Sequence, residues 1–130
     1  MLYLPLVAAL FLSAPTAQAE EAGVIFAMGG ERFVLTPDCA RWVDHVVTED
    51  DRVHLRFDMP ETPSCFGAFH GLLSTHQGER LTITFRGETL LEANLHTTLG
   101  PSHIVLESRH PRVAIDAIRY LSGLPDAEAP

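Results

Sequence analysis

Between Thr62 and Leu106 the spacing of apolar residues changes, and the change predicts a helix followed by strands. Cys65, Phe66, Phe69, Leu72 and Leu73 recur at three- and four-residue intervals, which places them on one face of a helix. Thr62 offers a hydroxyl to cap the free N–H groups at its start, Pro63 is tolerated in a first turn, and Gly78 stops it. Leu81, Ile83 and Phe85 then alternate with Thr82, Thr84 and Arg86, the period of a half-buried strand, and Gly87 turns the chain back toward Leu90 and Leu91. Most of the expected core comes from this stretch. Phe69 is central in the helix stripe and is expected to face the strand carrying Ile83 and Phe85, so its truncation should be severe. Truncation of His76, near the helix end, should be mild.

The flanking segments repeat the same logic. Val24–Met28 and Glu31–Leu35 are apolar runs joined by Gly29-Gly30, a local hairpin signal, and Thr36-Pro37-Asp38 ends it. From Cys39 to Val47 two patterns compete. Trp42, Val43, Val46 and Val47 suit a helix stripe, whereas their Trp and Val content suits a strand. A strand is favoured, because the polar turn Thr48–Asp51 leads into the clean alternation of Val53–Phe57, and the two would pair antiparallel. Leu95–Leu99 is expected to carry the sheet on, with Gly100-Pro101 turning into Ile104–Leu106. A second helix runs from about His110 to Leu121, with Pro111 in its first turn and Ala114, Ala117, Ile118 and Leu121 on one face; Gly123 and Pro125 end it. The expected class is α+β, a mostly antiparallel sheet with two helices packed on one face.

One hundred and thirty residues, 46% of them apolar, make one domain with a real core, at residues 20–125, followed by a solvated tail at 126–130. Residues 1–19 differ in kind. Leu6–Leu12 is a short apolar run, Pro15 breaks it, and Ala17-Gln18-Ala19 offers small residues to a signal peptidase, so cleavage is expected before Glu20. The run is shorter than the roughly 20 residues a membrane helix needs. No Lys or Arg precedes it, and no Cys stands at the cleavage point to take a lipid. The expected location is periplasmic or secreted, without stable membrane insertion after cleavage.

The net charge of −8 argues against nucleic acid and anionic lipid, which both require a basic surface. All nine basic residues are Arg. Cys39 and Cys65 suit an exported protein with one disulfide closing a loop of about 26 residues, worth on the order of 3 kcal/mol in the chain-entropy account. A pair of free thiols is the alternative.

From about Thr36 to Leu121 the chain resembles the periplasmic head subdomain of the SecD/SecF protein-export family. The residues that carry the resemblance are Phe66 and Phe69 on the helix, Gly78 with Arg80 and Leu81, Ile83, the turn Arg86-Gly87, Leu90, Leu95, the turn Leu99-Gly100, Ile104, and Ala114 with Ile118 and Leu121. Ala93 stands where the family usually has Pro, Pro101 follows Gly100 where a second Gly is common, and the cysteines lie outside the pattern. No long apolar segments flank the domain in this sequence, so the resemblance implies a stand-alone exported domain and a polypeptide-binding ancestry, not translocase activity.

Candidate chemistry is sparse. Seven histidines raise the question of a metal, but His70 and His76 stand six apart, His96 and His103 flank a turn, and His54 lies between Arg52 and Arg56. Ser64, Ser74, Ser102, Ser108 and Ser122 have no nucleophile-elbow frame around them. Cys65 could be a nucleophile at a helix start, but with one partner cysteine a disulfide is favoured. Glu49-Asp50-Asp51 lacks the spaced ligands and Gly of a calcium loop. No catalytic residue, cofactor or metal is assigned. The favoured function is a non-catalytic exported module that binds a polypeptide, or the periplasmic face of a membrane-protein complex, through sheet edges or a groove between helices and sheet. The runner-up is a small periplasmic metal-binding or enzymatic protein using His96, His103 and a nearby acid.

Overall fold

Seven strands and two helices alternate along the chain in a computed structural model that describes residues 23–94 and 99–124. Residues 1–22, which hold the expected leader and cleavage point, residues 95–98, Pro125 and the tail lie outside the described residues. Strands β1 (Val24–Met28) and β2 (Glu31–Leu35) form the expected hairpin, with Phe26 opposite Phe33. Gly29 and Gly30 both have positive φ, 57° and 85°, the pair of left-handed residues that a tight hairpin turn of matching twist demands. Strands β5 (Arg80–Phe85) and β6 (Glu88–Asn94) close through Arg86-Gly87 in the same way, and the Arg86 guanidinium lies 4.7 Å above the Phe85 ring.

The fold class is α+β, and its antiparallel strands divide into two sheets. One has the order β2-β1-β5-β6. The other has the order β3-β4-β7, built from β3 (Arg41–Val47), β4 (Val53–Asp58) and β7 (Ile104–Ser108). Of the segment Leu95–Leu99 expected to carry the sheet on, only Leu99 is among the described residues, where it is outside any strand; β7 pairs with β4, Leu106 opposite Leu55. The physical reason is burial. Val53, Leu55 and Phe57 alternate inward on β4, and Ile104 and Leu106 on β7 complete the same apolar face. Both sheets turn one face to a single core, which also takes Val24, Phe26, Met28, Ile83, Phe85 and Leu90.

Edges β6 and β7 meet at the seam between the sheets. There the buried Ser108 hydroxyl donates to the Leu90 carbonyl at 2.6 Å and accepts the His110 N–H at 3.1 Å. Its side chain is thereby engaged in structure, as a buried hydroxyl must be.

Helix α1 (Ala68–Thr75) is preceded by a widened, π-type turn, Pro63–Gly67. Thr62 stands at its start as expected but makes no side-chain cap. Its carbonyl accepts the Cys65 and Gly67 N–H groups at 3.2 and 2.9 Å, while Phe66 donates to the Pro60 carbonyl. Wider spacing brings main-chain carbonyls to the orphan donors, so the hydroxyl is not needed. Phe69, Leu72 and Leu73 are buried as the stripe required, whereas Phe66 is half-buried and stacks on His70. The Phe69 ring meets Phe26 and Phe33 on β1 and β2 at 5.2 and 5.6 Å. These lie one and two strands over from Ile83.

Helix α2 (Pro111–Leu121) buries Val113, Ala114, Ala117, Ile118 and Leu121 and packs on β3, β4 and β6. It ends in a Schellman-type arrangement, with Leu124 N–H bonded to the Arg119 carbonyl and Gly123 at φ 78°. The sulfurs of Cys39 and Cys65 are 2.03 Å apart, at disulfide distance, with Cα atoms separated by 5.2 Å. They join the connection between β2 and β3, a 3-10 turn at Pro37–Cys39, to the turn that leads into α1.

Candidate functional site

Strand β3 is an edge strand interrupted by a bulge. Arg41 pairs with Asp58 and Asp44 with Arg56, so Trp42 and Val43 stand opposite Phe57 alone. Val43 turns toward the core, and Trp42, with φ 55°, stands out on the solvent side with its surface 82% exposed. A left-handed backbone at a bulky residue is costly, and such outliers cluster where a protein presents a surface for use.

Around Trp42 the outer face of the second sheet forms a groove of about 480 Å³ lined by Asp44, Arg56, Phe57, Asp58, His103 and Val105. Its apolar part is the Trp42 indole and Val105, itself 47% exposed. Arg56 forks onto Asp44 through Nε at 2.7 Å and a terminal nitrogen at 3.1 Å. That hydrogen bonding holds the Asp44 carboxyl below its usual range and raises Arg56, so this pair is ionised and mutually satisfied. Asp58 behaves differently. Its Oδ1 accepts the backbone N–H of His103 at 2.8 Å, and His103, like Trp42 in the same groove, has a positive φ, 58°. Among the described residues Asp58 forms no ion pair.

A second groove of similar volume runs along the seam between β6 and β7, lined by Arg52, Glu92, Glu107, Arg109 and His110 among others. Its charges are largely taken up internally: Arg52 bonds Glu107 at 2.8 Å and Asp50 at 3.2 Å, and Arg80 bonds Glu92 at 2.6 Å. The Trp42 groove combines an exposed aromatic wall with a carboxylate that forms no ion pair among the described residues, and it is the better candidate for recognition.

The histidines separate. His103 lines the Trp42 groove, whereas His96 lies outside the described residues. Among the described residues no three of His, Cys, Asp and Glu are grouped to hold a metal ion. His54 lies 3.7 Å from Glu107 on the polar face of β4. His76 is the unexpected one. Its Nε2 lies 2.8 Å from Glu31 at the start of β2 and its Nδ1 3.2 Å from Glu79, with only 12% of its side chain exposed. It ties the end of α1 to the first hairpin. A Cβ at Gly29 would run into this ring, which is a second reason for glycine there.

The hydrogen bond to Glu31 first, and then that to Glu79, raises the His76 pKa above its ordinary value. A raised folded-state pKa means that this link stabilises fully below the unfolded value of about 6.5 and is lost as pH rises through the folded value. The melting temperature of His76→Gln should therefore fall below that of the unsubstituted protein at pH 5.5 and converge on it at pH 9. A gap that stays constant across that range would exclude a charged link.

Sequence inspection did not single out Trp42 or Asp58. Parity across the hairpin places Asp44 and Val46 on the face of Arg56 and His54, but the bulge between Arg41 and Asp44 breaks it before Trp42. The turn at Glu49-Asp50-Asp51 is the polar hairpin turn expected, closed by the Thr48 N–H bonding the Arg52 carbonyl at 2.8 Å. No helix among the described residues is long and apolar enough to cross a membrane. No protein-family model matches this chain, and comparisons with curated proteins and with solved structures find no significant match.

Proposed function

We propose that this protein is an exported, non-catalytic binding module that takes an extended stretch of polypeptide on the outer face of its three-stranded sheet. The observation that carries this reading is Trp42, which stands 82% exposed beside a groove of about 480 Å³ on an edge strand. Trp42 does not stand alone, since Val46, Val47 and Val105 of the same sheet are also exposed, and Trp is enriched among binding anchors. The edge of β3 adds main-chain donors and acceptors to which an extended segment can pair. Export is supported by the Leu6–Leu12 run with Ala17-Gln18-Ala19 and by the cysteine pair at disulfide distance. The kinship proposed with the SecD head is supported by the sequence pattern from Thr36 to Leu121, and it makes an emerging polypeptide at a membrane export complex the natural source of such a segment.

Calorimetric titration with extended peptides of about ten residues tests the proposal. Binding should be saturable in the micromolar range and weakened at least about tenfold by Trp42→Gly. Glycine is chosen because it accepts the φ of 55° at this position while removing the ring. Equal binding by Trp42→Gly, or no binding by either protein, would remove the groove from consideration.

A further inference from the structure

Resting on the proposal that the Trp42 groove receives a polypeptide, we infer that its anchor is an arginine side chain of the bound segment, stacked on the Trp42 indole and paired with the Asp58 carboxylate. The groove holds one aromatic face and two carboxylates, and the two carboxylates are not equivalent. Asp44 is already saturated by the bidentate Arg56. That same fork commits Arg56 to Asp44. Asp58 has one oxygen engaged, by the His103 N–H, and carries its negative charge without an ion pair among the described residues. Trp42 follows Arg41, the register partner of Asp58, so ring and carboxylate open into the same groove. A cation arriving there gains both an aromatic face and an unpaired carboxylate.

Arginine fits this pair better than lysine. Its planar guanidinium stacks flat on an indole while directing N–H groups outward to a carboxylate, and it loses less hydration than an ammonium. Val105, 47% exposed in the same groove, offers apolar surface to the methylene stem. The protein's net charge of −8 draws a cationic segment from a distance and repels an acidic one.

The chain contains one tryptophan, so its emission reports this groove alone. Four otherwise identical extended peptides of about ten residues, with Arg, Lys, citrulline or Glu at the centre, are titrated against the full protein at low salt. Citrulline has nearly the shape of arginine without its charge. The Arg peptide should shift Trp42 emission saturably and bind about tenfold more tightly than the citrulline peptide, with Lys between and Glu weakest. Asp58→Asn keeps an oxygen for the His103 N–H and removes the charge, and it should bring the Arg and citrulline affinities within about twofold of each other. Equal affinity for all four peptides would overturn the arginine anchor while leaving the groove a polypeptide site. Preserved Arg preference in Asp58→Asn would overturn the role of Asp58. Failure of every peptide to perturb Trp42 would overturn the polypeptide site itself.

Discussion

Replacing Phe69 with alanine should lower stability by roughly 3 to 5 kcal/mol. Phe69 is fully buried in α1 and stands edge-on to Phe26 at 5.2 Å, with Phe33 at 5.6 Å and Phe66 at 6.3 Å. Truncation therefore removes a ring from an aromatic cluster that joins the helix to the first hairpin. The cavity has little prospect of collapse, because its other walls are strand residues fixed by pairing on both sides of β1. A domain of this size is stable by only about 5 to 15 kcal/mol, so the variant should lose a large part of its margin and melt on the order of 15 °C lower. Phe66→Ala is the internal control, since Phe66 is half-buried and lies against exposed His70. Urea midpoints for the two variants should differ clearly, with Phe69→Ala the lower. Similar midpoints would mean that the helix presents a different face to the core.

Opening the Cys39–Cys65 link should cost about 3 kcal/mol by the chain-entropy account, given its separation of 26 residues. Both cysteines are buried, at 8% and 6% exposure, so removal also affects packing where two irregular turns meet. The main-chain hydrogen bonds of these turns are local to each, and the cross-link limits how far the unfolded chain can separate them. Urea unfolding of the oxidised protein, the reduced protein and Cys39→Ala/Cys65→Ala should give one high midpoint and two lower, similar ones. Identical midpoints with and without reductant, together with two titratable thiols in the oxidised sample, would show that the link does not form in the isolated protein.

The cysteine pair was legible because exactly two cysteines leave one intramolecular choice, and the sulfurs are placed at bonding distance. The candidate site was only partly legible. His103 was named only in the runner-up metal reading, together with His96, which lies outside the described residues; it lines a groove with Asp58, to which it contributes a backbone N–H and a turn. Trp42 was visible as a strand residue, but its exposure was not, because a bulge changes which side chains share a face and has no signature in the alternation of this segment.

What the sequence determined by itself is local: both helical stripes, the alternation of the strands, the two tight turns at Gly29-Gly30 and Arg86-Gly87, and the α+β class they compose. These depend on the backbone's own periods of about 3.6 and 2 residues and on φ preferences, which each short segment carries alone. Tertiary structure decided the division into two sheets, the pairing of β7 with β4, the bulge that turns Trp42 outward, and the reach of His76 to Glu31 across 45 residues. Each depends on which apolar faces close together into one core, and that is a property of distant segments acting jointly: alternation says that a strand has a face to bury, but not which other strand will cover its edge.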